Sequence, residues 1–317
     1  VKPRRRGVVL LGDVVVRVGR PGALIERQVR LPASNTMRIY PRFSTTEEYR
    51  LMARINQQDE VVRRARRVYG SGTTFESLAN YYPGEDLRKV DWKVSAKRGF
   101  LVSRRLQTEK GQQISVMIDG GRLMAEKIGE YSRFEYALNA AVMLSYVAQK
   151  RGDSIAVATF SNRMESFVPP VRGTAVMQRV LVSLCTAEVR QVESDYWQVV
   201  AQVMSMLKRR SLAIMLTDIL DASGSSGLIG NLARAASRHL VLCVVLTEPR
   251  LGQMAELEPK NIDDTYAKAA ACHLQQQRQI ALEMMRKRGI LVLEASPQQL
   301  TIQLIRRYLE IRKADLQ

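Results

Sequence analysis

Residues 114–124 read ISVMIDGGRLM. A mostly apolar run, Ile114–Ile118, delivers one acid, Asp119, and the chain then turns through Gly120, Gly121 and Arg122. Four further runs share the character of the first: SIAVATF (154–160), LAIMLTD (212–218), HLVLCVVL (239–246) and ILVLEA (290–295). Such runs lack the alternation of a half-wet strand, so they read as strands buried on both faces. Stretches of helical period separate them, at 134–150, 175–184, 197–207, 228–237 and 267–288, and a last one closes the chain at 298–313. Apolar strands alternating with amphipathic helices predict a doubly wound, mostly parallel α/β sheet covered on both faces. RMESFVPP (163–170), directly after the second strand, reads as its hairpin partner on the sheet edge.

The residues before this block have another character. Residues 7–40 are β-branched runs broken by Gly and Pro, which predicts a small β-rich region over 1–43. Residues 44–110 read as a helical, basic connecting segment, with Ser44 and Thr45 as caps and RRARR at 63–67 as an exposed charge run. The sheet domain is expected over 111–317.

The 317 residues carry a net charge of +18, unevenly spread. Residues 1–110 hold 24 basic and 11 acidic side chains, whereas 111–317 hold 25 and 20. A cationic front suggests an anionic partner: nucleic acid, an anionic membrane surface or an acidic protein. Base-stacking aromatics are not interleaved with these charges, and no nucleic-acid motif is present, which argues against nucleic acid. The three cysteines are widely spaced and fit a reducing compartment. No apolar run reaches membrane-spanning length. The chain opens on Val1, which suggests a fragment.

Open α/β sheets bind ligands at the carboxyl ends of their strands. Two strands end there in aspartate: Asp119, and Asp218 with Asp221 just beyond. Thr174, following Gly173 at the start of a helix, is a third candidate, as a plain N-cap or as a hydroxyl ligand. This constellation resembles the von Willebrand factor A-type domain and its metal-ion-dependent adhesion site. That site comprises an Asp-x-Ser-x-Ser loop, a Thr from a second loop and an Asp after the fourth strand. The resemblance maps Asp119, Thr174 and Asp218 onto those ligands. Gly121 and Leu123 stand where the serines would be, and Arg122 places a fixed cation beside them. Two readings stay open. Either the acids still hold Mg²⁺, or the site is metal-free and Arg122 pairs with one acid or with a partner.

A second motif lies at 81–113. Tyr82, Pro83, Gly84, Glu85, Arg88, Val90, Asp91, Trp92, Ala96, Lys97 and Glu109 form the pattern Tyr-x-Pro-Gly-[Asp/Glu]-x-x-Arg-x-[Val/Ile]-Asp-Trp with its trailing Ala-[Lys/Arg] and Glu. Read physically, it is a turn, a helix with Leu87, Val90 and Val94 on one face, and a strand at 100–106, with Trp92 packed in the core. As a pattern it resembles the signature of the domain-of-unknown-function family 58, joined to a von Willebrand A-like domain. EVRQVESDYWQ (188–198) and KRRSLAIMLTDILD (208–221) continue the resemblance.

That resemblance implies a membrane-tethered adaptor at the cytoplasmic face of the inner membrane. Transmembrane helices would precede Val1, and the partners would be a MoxR-type AAA+ ATPase and a client protein. Lys2, Arg4, Arg5 and Arg6 would then meet anionic headgroups. Tyr82, Glu85, Arg88, Asp91, Trp92, Lys97, Arg122 and Asp221 are the interaction candidates. Neither a phosphate-binding glycine loop nor a nucleophile elbow is present, and neither histidine has an identifiable catalytic partner. The expectation is a non-enzymatic interaction module, with no cofactor beyond a possible Mg²⁺. A metal-dependent adhesion domain and a nucleic-acid binder are the alternatives.

Overall fold

The structure is a computed structural model. It describes residues 6–19, 27–41, 74–82, 86–107, 111–220, 224–247, 249–256 and 258–314. The helix expected near 45–69, the RRARR run, Lys2 to Arg5, Pro83 to Glu85, Glu109 and Asp221 lie outside these residues. The chain forms two compact units, residues 49–111 and residues 1–48 together with 112–317.

In the larger unit, β1 (Gly7–Leu11) and β2 (Val14–Val18) lead out along a ribbon, and β3 (Arg27–Leu31) and β4 (Asn35–Ile39) return. β1 pairs β4 and β2 pairs β3, both antiparallel. Opposed residues in such a ladder share a face. Val14, Val16, Val18, Val29 and Leu31 therefore line one side of the outer ribbon, and Arg17 and Arg30 the other. All seven are exposed. The base of the ribbon is anchored. Arg6 pairs with Glu135 at 2.9 Å and donates to Leu184 O at 3.0 Å, and Cys185 Sγ donates to Ile39 O at 3.2 Å. Arg6 thus stands in an intramolecular ion pair, not free for lipid headgroups as the sequence suggested.

The smaller unit pairs β5 (Thr74–Asn80) antiparallel with β6 (Val102–Gln107). Between them lies α1 (Trp92–Arg98), which starts later than the amphipathic pattern suggests. Asp91 caps it by accepting from Val94 N at 3.1 Å, so residues 87–89 form a separate 3₁₀ turn. Gly99, at φ 76°, closes α1 in the left-handed conformation.

The core of the larger unit is a six-stranded sheet. Its strands are β7 (Gln113–Asp119), β10 (Ser154–Phe160), β11 (Met164–Val171), β12 (Leu212–Thr217), β13 (Leu240–Leu246) and β14 (Leu291–Ala295). The short pair β8 (Lys127–Ile128) and β9 (Tyr131–Ser132) lies outside it. The spatial order is β11-β10-β7-β12-β13-β14, parallel except for the β10–β11 hairpin. The doubly wound, mostly parallel expectation holds, including the antiparallel edge strand. Among the described residues seven α-helices flank the sheet: α2 (Arg133–Lys150), α3 (Ala175–Cys185), α4 (Tyr196–Met206), α5 (Ser226–Ala236), α6 (Pro249–Glu256), α7 (Ile262–Lys287) and α8 (Leu300–Ala314). α6 was not foreseen.

Alternate strand side chains point to opposite faces. Met117, Ala213, Met215, Val241, Cys243 and Val245 pack with α4, α5 and α7 through Val199, Val203, Leu228, Leu232 and Leu282. Ile114, Val116, Ile118, Ile214, Leu216 and Val244 face the other way and are equally buried. Both faces are dry, which is why these strands are continuously apolar.

Candidate functional site

The site forms where β7 and β12 end side by side at the carboxyl edge of the sheet. On either side of this point the strands continue to β10 and to β13, so the connections diverge here. Asp119 is 1% exposed and Asp218 is 2% exposed. A buried carboxylate needs several donors or a cation to offset its lost hydration.

Asp119 receives four neutral donors, two at each oxygen. Gly121 N donates to Oδ1 at 2.8 Å and Ser194 Oγ at 2.5 Å. Tyr196 Oη donates to Oδ2 at 2.8 Å and Thr217 Oγ1 at 2.6 Å. An ionised carboxylate has about four acceptor positions, so this one is saturated by protein alone. Burial, reinforced by the Asp119 charge, raises the Tyr196 phenol above its ordinary pKa, so it stays a donor at neutral pH.

Asp218 is held by charge. Its Oδ1 accepts from Ile219 N at 2.8 Å and from Arg278 Nη1 at 3.2 Å, and its Oδ2 pairs with Arg133 Nη1. Arg133 also pairs with Glu126 at 2.8 Å, and Arg278 Nη2 donates to Leu246 O at 2.6 Å. Burial lowers the Arg278 guanidinium from its ordinary pKa. Arg133 opens α2, at the positive end of the helix dipole, where a cation is unfavourable on its own. Asp218 and Glu126 supply the compensation.

The glycines follow from packing. Gly121 has φ −76° and ψ −177°, extended backbone open to any residue. Its constraint is space: a Cβ there would collide with Ser194 Oγ and sit 3.1 Å from Val192 O. At Gly120 a Cβ would meet Phe160 O at 3.1 Å. The segment 186–195 closes onto this strand end through Arg190 N to Gly120 O at 2.8 Å and Arg122 N to Val192 O at 2.9 Å. Ser194 thus brings a hydroxyl to Asp119 through the space that any side chain at 121 would need.

Two sequence assignments change, those of Thr174 and Trp92, and of the two orientations open to Arg122 the structure has the outward one. Arg122 points outward, 58% exposed, with only a 3.4 Å contact to Glu193, and the cations on Asp218 are Arg133 and Arg278. Thr174 does not join the acids. β11 runs antiparallel and carries the chain back to the opposite edge, where Gln149 Nε2 donates to Gly173 O at 2.9 Å. Thr174 there is exposed and makes no capping bond through its side chain. Trp92 is 61% exposed, not packed in a core. Leu123 is half-buried in the 3₁₀ turn Arg122–Ala125.

In the smaller unit Tyr82 is 61% exposed, and Arg88 and Lys97 are exposed as well. Asp91 is engaged as a cap, and Glu85 and Asp221 lie outside the described residues. Among the described residues no group of three or more His, Cys, Asp or Glu side chains could hold a metal ion. The residues not foreseen were Arg133, Ser194, Tyr196, Thr217 and Arg278. Ser194 and Tyr196 sit within the EVRQVESDYWQ stretch, and Thr217 directly precedes Asp218. Beside Asp218 a cleft of about 490 Å³ opens between Ile219, Leu220, Leu251, Leu274 and Arg278. No described helix is long and apolar enough to cross a membrane.

The uncharacterized protein Rv1480 of Mycobacterium tuberculosis is 23% identical over 219 residues, 61% of this chain. The uncharacterized protein Mb1516 of Mycobacterium bovis aligns equally. The chain spans 66% of the length of these relatives, just under two thirds. YeaD of Bacillus subtilis is 27% identical over 114 residues, 36% of this chain and 28% of that protein. Among solved structures, the conserved hypothetical protein BatB from Bacteroides thetaiotaomicron aligns at TM-score 0.45 and 12% identity, over 64% of this chain and all of that one. A family model for the protein of unknown function DUF58 matches residues 77–288, more than half of the chain, and the protein belongs to that family.

Proposed function

We propose that this protein is a non-enzymatic interaction module, a von Willebrand factor A-like domain whose adhesion site has been rebuilt as an internal polar cluster. In this reading it is a membrane-tethered adaptor for a MoxR-type AAA+ ATPase and its client in protein maturation or complex assembly. The observation that carries the proposal is the engagement of both strand-end acids by the protein's own donors and cations. Asp119 spends all its acceptor capacity on four protein donors, and Asp218 is neutralised by Arg133 and Arg278. Asp119 has no acceptor position left over for a metal ion or for proton transfer to a substrate, and a metal ion approaching Asp218 would meet two guanidinium charges. The cluster instead holds the surrounding rim in one shape. That rim presents charged groups to solvent: Arg122, Glu193, which is 88% exposed, and Arg190.

Co-purification with a MoxR-type ATPase tests this reading. The wild-type chain is expected to retain the ATPase, and Arg122→Glu/Arg190→Glu to lose it while keeping the wild-type melting temperature. Unchanged retention by the double variant would remove the rim from the interaction.

A further inference from the structure

We propose that the amino edge of the sheet, opposite the acid cluster, is a docking face for an anionic phospholipid bilayer. The topology forces a set of turns onto this edge. Helices in parallel crossovers end where strands begin, and the β11 hairpin adds the turn before α3. The turns are residues 150–154, 171–174, 208–212, 237–240 and 287–291. They are stitched together by Ser154 N to Gln112 O at 2.8 Å, Leu240 N to Ser211 O at 3.0 Å and Arg312 Nη2 to Arg151 O at 3.0 Å.

These turns contain Lys150, Arg151, Arg172, Lys208, Arg209, Arg210, Arg238, Lys287 and Arg288. Their one acid is Asp153, which is fully buried and already bonded to Tyr308 and to Arg312 at 3.3 Å. All nine cations except the half-buried Arg151 are exposed. Among the described residues, Lys208, Arg210, Arg238, Lys287 and Arg288 have no ion-pair partner. The opposite edge differs: there Arg122, Arg133, Arg190 and Arg278 each face a carboxylate. Complementing helix dipoles explains a cation or two at each helix end. It does not explain the triple Lys208-Arg209-Arg210.

The shape selects the occupant. The turns at 150–154 and 287–291 are tight, with Gly152 at φ 76° and Gly289 at φ 77° reversing the chain at once, and no helix or paired ribbon of the kind that enters a nucleic-acid groove is described in the five turns. No tryptophan or phenylalanine stands in these turns to stack a base. From β10 to β14 the face is about 19 Å wide at ordinary strand spacing. At its centre a recess of about 330 Å³, lined by Gln112, Gln113, Arg210, Ser211, Leu212 and Leu240, offers donors of the kind a phosphate group accepts from. A broad face of exposed cations, spread over five turns and holding only a buried acid, complements the negative surface of a sheet of phosphodiester headgroups.

Vesicle co-sedimentation of the whole chain tests this, comparing phosphatidylcholine vesicles with vesicles containing about one third phosphatidylserine. Two variants carry equal charge changes: Lys208→Glu/Arg210→Glu/Arg238→Glu on the edge, and Arg17→Glu/Arg30→Glu/Arg38→Glu on the ribbon. The wild type is expected to bind only the anionic vesicles, less at higher salt. The edge variant should bind at least about 10-fold more weakly with an unchanged melting curve, and the ribbon variant within about 3-fold of wild type. Equal loss in both variants, loss in the ribbon variant alone, or binding to neutral vesicles would overturn the proposal. So would tighter binding of duplex DNA with the same edge dependence, which would make the face a nucleic-acid surface. None of these outcomes touches the acid-edge reading, whose test is ATPase retention.

Discussion

Gly121 shows how a missing side chain can be a requirement of packing. Its backbone is extended and unstrained, so the residue is small because Ser194 Oγ fills the space beside it, with Asp119 Oδ1 and Val192 O close behind at 3.1 Å. Gly121→Ala should therefore destabilise the fold by overpacking, by about 1–3 kcal/mol in urea unfolding. Adding Ser194→Gly should recover part of that loss, because the colliding hydroxyl leaves. Additive losses in the double variant would show that the collision is not the cause. His239 permits a second prediction. Its Nδ1 accepts from Ser211 N at 3.3 Å, which requires a neutral ring, and burial with the Arg238 charge lowers its pKa below 6.5. As pH falls below about 6.5 the unfolded chain gains a proton that the folded one refuses, so stability drops until the depressed folded pKa is reached. The slope contributed by one proton is at most about 1.4 kcal/mol per pH unit. His239→Asn keeps an acceptor and should flatten this part of the curve between pH 7 and 5. An unchanged slope would assign it to other groups.

At the scale of elements, α7 is two helices in one. Its second half packs Ala281, Leu282 and Met285 into the core and is tied to the strand ends by Arg278. Its first half buries only Ala271, while Ile262 and Tyr266 stand 74% and 72% exposed. Local stability follows buried contacts. Amides of 263–270 should therefore exchange at least about 10-fold faster than those of 279–286 in hydrogen-exchange mass spectrometry, and uniform protection would contradict the division. The same contrast explains what could be read in advance. The strands were legible because both faces are dry and the runs are unbroken. Asp119 and Asp218 were legible because strand ends are where such sheets carry polar groups. Thr174 misled because one antiparallel strand reverses the edge on which the following helix starts; the hairpin legible at 163–170 already implied that reversal, and the family resemblance placed Thr174 against it. Arg133 and Arg278 were missed because their partners lie 85 and 60 residues away in sequence.

Across the larger unit, the two edges of one sheet carry opposite arrangements: arginines each facing a carboxylate at the carboxyl edge, and a run of exposed cations with one buried acid at the amino edge. The acid cluster joins β7, β12, α2 and α7, together with the 186–195 segment, through the protein's own donors and cations. Its cohesion should then be indifferent to divalent metal. Melting curves with excess chelator and with millimolar Mg²⁺ should superimpose, whereas a fold completed by bound metal would gain stability with metal concentration. The cluster should be sensitive to its own cations instead. Arg133→Met leaves Asp218 buried with one guanidinium where it had two, and orphans Glu126 at its exposed end. Removing one partner of a buried ion pair typically costs about 3–5 kcal/mol, and Arg278 should hold the loss to the lower part of that range. Arg133→Met/Asp218→Leu removes the uncompensated charge and should regain part of the loss. If added Mg²⁺ restores the single variant to wild-type stability, the carboxylate will have kept a metal-binding geometry beneath its arginines. If it does not, the guanidinium groups are integral to the architecture of this edge, and the wild-type domain folds around charge supplied entirely by its own sequence.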